Sequence, residues 1–367
     1  MLLNSLILLF PVISLGAFAV PVGGSIPILR HAGKVKEHSY IVQLKPGASE
    51  STHFRLSTSG FNLTYTYNQV FNGYAAQLDT TTLDHIRQSP DVEAIFEDGF
   101  VEADTTSTSF SKSDNQSSLS TSISYSGEIS RVDGASVDVY DIGTGIYTAH
   151  TSFGGRAHWG TTFGGYGNAD GNGYDTCLAG IAVGATYGVA TQANIYAVKA
   201  ISDSGDGTIS NIIAAINWVI SAATASGRPS VVMLGTGGPA NSALDAAVVS
   251  ATNKGLHFIV PAPSSSSVGN TSPARVASAV TVGVTGRSYT PGVDVCSEGT
   301  AVPCPSIQGP TASTTISGAG AAMARVAGIV AAVLGAYGGT TPALMEAALK
   351  AHASTTTNGC LVINQPW

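Results

Sequence analysis

From about residue 127 onward, unbroken apolar runs alternate with helical patterns, and this alternation constrains the fold more than any other feature. SVDVYDIG, ANIYAVKAI, SVVMLG, HFIVPA and SAVTVGV read as strands. Helical patterns fall near Thr176–Val183, over Thr208–Thr224 and over Ala240–Asn253, and a long one over Ser317–Tyr337 follows. Strands that are apolar at every position are covered on both faces. Strand–helix alternation therefore implies a mostly parallel sheet with helices on both faces, an α/β fold. Ligands of such sheets sit beyond the carboxyl ends of the strands. That edge carries Gly143, Gly235–Gly238 and Pro261–Ser267.

A smaller unit precedes this one. In residues 38–103, SYIVQLKPG reads as a strand closed by a Pro-Gly turn, and FNGYAAQLD and VEAIFED as two more. TTTLDHIRQSP reads as a short helix ended by proline, which makes the unit a small α+β module. Residues 104–124 are dominated by Ser and Thr and read as a linker or processing segment before a main domain over 127–367. The first nineteen residues, MLLNSLILLFPVISLGAFA, form an apolar run ending in Ala17-Phe18-Ala19. This is the pattern of a secretory signal cut after Ala19, and it implies an extracellular protein. Pro11 and the polar chain that follows argue against a membrane anchor. Val326–Tyr337, preceded by Arg325, reads as a buried core helix rather than a span.

With 44% hydrophobic and only 11% charged residues, the 367-residue chain can build a large core. Its net charge of −7 and lack of a basic cluster exclude a nucleic-acid backbone as partner. Four cysteines in a secreted chain allow three full pairings. A local bridge suits Cys296 and Cys304, in a loop with Gly299 and Pro303, and would leave Cys177 and Cys360 for the second. No Cys or His pair has ligand spacing, so no metal cofactor is expected. Asp170, Asp203 and Asp206 read as solvated loop carboxylates, and the sequence does not support calcium there. Asn62, Asn115 and Asn270 open triplets compatible with glycosylation.

The motifs SYIVQLK, FNGYAAQLD and PDVEAIFED, then VDVYDIGTGI, DGNGYDTCLAG, TSPARVASAVTVGV and ISGAGAAMARVAG, occur in one order along the chain. In that order it resembles the subtilisin-like serine proteases, closest to the proteinase K group, with 38–103 similar to their inhibitory propeptide. The resemblance implies a subtilisin-like, mostly parallel α/β sheet behind a small α+β propeptide domain. It also implies four functional positions, and here all four differ. The family's strand-end Asp, before Thr-Gly-Ile, is Gly143. Its catalytic His, which opens His-Gly-Thr-His-Cys-Ala-Gly, is Tyr174, and the second His of that motif is Cys177. Its nucleophilic Ser, after Ile-Ser-Gly, falls at Gly320, and its oxyanion Asn at Ser264.

A glycine has no oxygen to attack a carbonyl, and a phenol with a pKa near ~10 is a weak base at neutral pH. The resemblance therefore implies a secreted pseudoprotease that binds peptides, protease inhibitors or other subtilisin-like proteases, together with its own propeptide domain. Gly205 and Gly207 on one side, and Leu234, Gly235, Thr236 and Gly237 on the other, match the strands that clasp a peptide in the family. Main-chain pairing there requires few particular side chains. The alternative is an active endopeptidase with displaced groups drawn from Asp141, His150 and Ser317. For these, the structural readings are a strand-end residue, a surface loop histidine and a helix cap.

Overall fold

The structure is a computed structural model that describes residues 24–55, 60–103, 132–287, 291–355 and 359–367. The expected signal 1–19, the segment 104–124 and Asn115 lie outside the described residues. The N-terminal module comprises β1 (Ile28–Leu29), β2 (Val35–Leu44), α1 (Glu50–Arg55), β3 (Phe61–Tyr67), β4 (Gly73–Leu78), α2 (Thr80–Arg87) and β5 (Val92–Ala103). Strands β5, β2, β4 and β3 lie side by side and antiparallel. Side chains alternate across such a sheet. Val42, Tyr74 and Ile95 accordingly pack with Leu83 and Ile86 of α2, while Ile41, Ala75 and Phe96 point the other way. Asp79 starts α2 by accepting a hydrogen bond from the Thr82 amide at 2.7 Å.

The main domain opens with β6 (Asp138–Gly143), β7 (Ala157–Thr162), α3 (Tyr174–Val183), β8 (Asn194–Lys199), β9 (Asp206–Thr208) and α4 (Ile209–Ser226). It continues through β10 (Ser230–Leu234), β11 (Thr236–Pro239), α5 (Ser242–Asn253), β12 (His257–Pro261), β13 (Thr271–Ser272) and β14 (Val280–Val284). It ends with β15 (Val295–Ser297), the hairpin β16 (Val302–Pro305) and β17 (Ser313–Ile316), α6 (Ala319–Tyr337), α7 (Pro342–His352), β18 (Ser354–Thr355) and β19 (Leu361–Val362). The central sheet runs β18-β19-β15-β14-β12-β10-β6-β8-β7, and only the terminal β18–β19 pair is antiparallel. Every residue of β6, β10, β12 and β14 is buried, which is why these strands are apolar without alternation.

Helix α6 is buried from Ala319 to Ala324 and from Val326 to Leu334, and so it is apolar on nearly every side. Its close approach to α3 depends on Gly328, where a β-carbon would lie 2.6 Å from the Ala182 carbonyl oxygen. Caps fix the other helices. Thr208 accepts from the Asn211 amide to open α4, and Gly227 closes it with φ of 64°. The Asn241 carboxamide accepts from the amides of Ala243 and Leu244 to open α5.

The disulfides differ from the expected pairing. Cys177 bonds Cys304, with α-carbons 5.0 Å apart, and Cys296 bonds Cys360, with α-carbons 6.0 Å apart. Cys296 lies on β15, where Val362 of β19 is its ladder partner, so the C-terminal segment brings Cys360 to it. Cys304 lies on β16, which packs on α3 and therefore meets Cys177. Short sequence separation gave the wrong partner because β16 turns away from β15 to form its own hairpin with β17.

The module is not a separate bead. Ile41, Tyr67, Val70, Phe96, Val101 and Ala103 belong to the same hydrophobic cluster as the main-domain core. Asn217 on α4 accepts, through Oδ1, the amides of Asn68, Gln69 and Val70 at 3.0, 2.7 and 3.4 Å. Asp98 of β5 is fully buried. Its carboxylate accepts the Ser210 amide at 2.9 Å and the hydroxyls of Ser210 and Ser39 at 2.7 and 2.9 Å. A carboxylate from the module thus completes the N-terminus of α4.

Candidate functional site

The carboxyl ends of β6 and β10, the start of α3 and the start of α6 converge on one point. Gly173, with φ of 94°, turns the chain into α3 so that Tyr174 enters the interior, where it is 1% exposed. Its ring packs against Gly235, where a β-carbon would lie 3.2 Å from Cε1 and 2.9 Å from Leu178 Cδ1. Its hydroxyl reaches Gly320 at the first turn of α6. A β-carbon on Gly320 would lie 3.1 Å from Tyr174 Cζ and nearer still to the hydroxyl oxygen. The phenol therefore occupies the volume that any side chain at position 320 would require.

A second substitution of volume lies beside the first. A β-carbon on Gly143 would lie 2.5 Å from Asp175 Cγ and 2.7 Å from its Oδ1. Asp175 is 1% exposed, and its Oδ2 accepts the Thr144 amide while Thr144 Oγ1 accepts the Asp175 amide at 3.3 Å. Asp141 is also 1% exposed, and neither of its oxygens, nor Asp175 Oδ1, has a hydrogen-bond donor among the described residues. Burial pushes the Asp175 carboxyl up to about 7, against the pull of the Thr144 amide and with a further push from Asp170. Burial, then the carboxyls of Asp175 and Asp170, holds Asp141 far above its usual range.

Asp170 is buried, not a solvated loop carboxylate. It accepts from Thr144 Oγ1 at 3.0 Å, the amides of Asn172, Gly173 and Thr176, and Thr176 Oγ1 at 2.5 Å. It thereby ties the β6 end to the first turn of α3. Lys199 is buried and donates to the Thr144 carbonyl at 2.5 Å and to Asp203 at 2.6 Å. Asp203 is the exposed member of that ion pair, and Asp206 is exposed. Among the described residues no cluster of His, Cys, Asp and Glu suits a metal ion.

The displaced-group candidates are not joined by hydrogen bonds. His150 is buried, contrary to the surface expectation. Its Nδ1 accepts the Ser152 amide at 3.1 Å, which starts a short helical turn, and its Nε2 donates to the Ala312 carbonyl at 2.9 Å. Ser317 does not cap α6. Gly318 holds the cap position, and Ser317 Oγ accepts the Ala301 amide at 2.8 Å.

The strands expected to clasp a peptide hold a segment of the chain itself. β5 pairs antiparallel with β9, Val101 opposite Gly207 and Glu102 opposite Asp206. On its other edge it pairs antiparallel with β11, Ala103 opposite Thr236 and Glu102 opposite Gly237. The Ala103 amide donates to the Gly205 carbonyl at 2.9 Å, and Thr236 Oγ1 donates to the Glu102 carbonyl at 2.5 Å. Leu234 and Gly235 lie buried beneath this layer. Glu102 and Ala103 end at a cavity of about 360 Å³ also lined by Gly237, Pro261 and Ser264–Ser266. Ser264 is exposed and also rims a second cavity of about 510 Å³ with Gly283 and Ala319.

The residue absent from the sequence-based candidates is Asp175. Its signal was the position itself, where the family motif given above has glycine.

The peptidase inhibitor I9 family matches residues 39–104. A subtilisin-like proteinase of Pyricularia oryzae is 33% identical over 368 residues, covering 87% of this chain and 69% of the relative. A subtilisin-like serine protease of Sarocladium strictum is 32% identical over 362 residues, covering 92% of this chain and 90% of the relative. The crystal structure of a cold-adapted subtilisin-like serine proteinase matches with a TM-score of 0.60 and 33% identity. That match spans 66% of this chain and 93% of the solved one.

Proposed function

The chain belongs to the subtilisin-like serine proteases, with an I9 propeptide domain, and from that premise we propose that it acts by binding rather than by cutting peptides. The observation that carries the reading is the Tyr174 phenol standing over Gly320, where a nucleophile's side chain would need space. Ser264 at the oxyanion position supports it. A tyrosine at position 174 supplies no base near neutral pH, and Gly320 supplies no nucleophile.

The form we propose is extracellular, with a signal over 1–19, the module over 38–103, the linker 104–124 and the main domain over 127–367. Glycans on it would be carried by exposed Asn62 and Asn270. Its partners are extended peptides, protease inhibitors or other subtilisin-like proteases, met after strand β5 yields the cleft. Purified protein incubated with casein and a serine-directed phosphonate probe tests this. Neither cleavage nor labelling is expected; both together would establish a working endopeptidase instead.

A further inference from the structure

We propose that this chain carries a reciprocal exchange in which Asp175, on helix α3, delivers the carboxyl group that the family places on strand β6 at position 143. Asp175 is then the acid of the site, a positioning residue, and the site lacks an imidazole and a hydroxyl but not a carboxylate. The inference rests on reading Gly143, Tyr174 and Gly320 as the family's triad positions.

Three observations converge on it. The first is spatial: the Asp175 carboxyl fills the volume a side chain at residue 143 would enter, 2.5 Å from its β-carbon position at Cγ and 2.7 Å at Oδ1. The second is sequence. The family motif has aspartate before Thr-Gly-Ile and glycine after its histidine, whereas here Gly143 precedes Thr144 and Asp175 follows Tyr174. The two residue types have changed places. The third is bonding. Thr144 clamps Asp175 from both sides, its amide donating to Oδ2 and its hydroxyl accepting the Asp175 amide, so the carboxyl is fixed. Oδ1 is left without a donor among the described residues, and it lies 3.7 Å from the β-carbon position of Gly235, against which the Tyr174 ring also packs.

The plainer account is a first-turn acid that favours the helix dipole. Such an acid gains as much from water, and Asp175 is 1% exposed with an oxygen unsatisfied. In a triad, the acid accepts a hydrogen bond from the imidazole, fixes its tautomer and stabilises its cation. Oδ1 retains the acceptor needed for that. The charged groups around it are Asp141 on β6, Asp170 before α3 and Lys199 on β8.

A stability cycle in the full chain tests the exchange. Gly143→Asp alone is expected to lower Tm by about 10 °C or more or to prevent folding, and Gly143→Asp with Asp175→Gly to restore a folded protein. Gly143→Ala with and without Asp175→Gly gives the same comparison in milder form. Equal penalties for a residue-143 side chain in both backgrounds would overturn the exchange. The positioning role is read by NMR from the titration of the imidazole that Tyr174→His introduces, with and without Asp175→Asn. The pKa of that imidazole is expected to be higher by about one unit when the carboxylate is present; identical titration in the two would overturn the role. Hydrolysis by the unmodified protein would end the binding reading while leaving the stability cycle to stand or fall alone.

Discussion

Tyr174 and Gly320 share a single volume: the phenol lies where a residue-320 side chain would stand, with Leu178 Cδ2 3.6 Å from the same point. The two residues come from different helices, α3 and α6, so the fit is a tertiary constraint. Gly320→Ala is therefore expected to destabilise the fold by about 1–3 kcal/mol, the usual cost of overpacking. Tyr174→Phe removes the nearest atom and should recover part of that loss in the double variant. Denaturant midpoints of the four proteins measure the interaction, and strict additivity would show that the phenol does not crowd Gly320.

The buried carboxyls predict a pH dependence with a definite sign. Asp175 is raised from 3.8 to about 7, and Asp141 is also raised well above its usual value, so the folded chain holds protons that the unfolded chain has released. Stability from this cluster is therefore present at acid pH and is lost as pH rises from about 4 to about 7. His31 and His257, whose pKa values are lowered chiefly by burial, act in the opposite direction below 6.5. The cluster is isolated by difference: Asp141→Asn should flatten the decline relative to the unmodified protein, at about 1.4 kcal/mol per unit of displaced pKa. Urea unfolding at pH values of about 4, 6 and 8 reads it, and parallel pH profiles for the two proteins would exclude the assignment.

Much of the fold was legible because burial wrote it into the sequence. Strands β6, β10, β12 and β14 are buried at every position and stood out as apolar runs. Strand β3 was overlooked although FNLTYTY alternates Phe61, Leu63, Tyr65 and Tyr67 with polar residues, because it lies at the sheet edge, mostly exposed or half-buried, and forms no apolar run. Helix α7 was missed because it buries only Met345 and Leu349, too few positions to mark a face. At the site, Gly143, Tyr174 and Gly320 were found from spaced motifs. That Tyr174 and Asp175 fill the spaces above the two glycines is a property of side-chain direction across α3, β6 and α6, which no linear motif contains. The disulfides failed on the same ground, because pairing followed spatial packing, β15 beside β19 and the β16 hairpin on α3, and not the spacing along the chain.

Asp98 joins the module to the main domain. It is fully buried and accepts the Ser210 amide and two hydroxyls, those of Ser39 and Ser210. Asp98→Ala leaves these donors without their acceptor at the head of α4. It should cost about 3 kcal/mol, the range for hydrogen bonds to a charged group together with the desolvation of orphaned donors. Limited proteolysis of the variant is expected to degrade the module ahead of the main domain. Loss of both at one rate would mean that the two parts unfold as a unit.

The last prediction concerns the cleft. Strand β5 reaches it with antiparallel partners on both edges, and its final link to the β9 side is the Ala103 amide donating to the Gly205 carbonyl. Proline has no amide hydrogen, so Ala103→Pro removes that bond and places a ring against the β9 edge. The deep contacts of the module remain, since Tyr67 is remote in the chain from residue 103 and Asp98 lies on β5 ahead of the stretch that pairs with β9. The end of β5 should then open locally without global unfolding, exposing the edges of β9 and β11 to an added strand. A fluorescent peptide with the sequence DGFVEA, residues 98–103 of the chain itself, provides the probe. Anisotropy should show its binding strengthened by about tenfold or more in Ala103→Pro, equivalent to about 1.4 kcal/mol of lost competition. If affinity is unchanged while the variant stays folded, the resident strand is not what closes the cleft, and partner binding through β9 and β11 loses its structural basis.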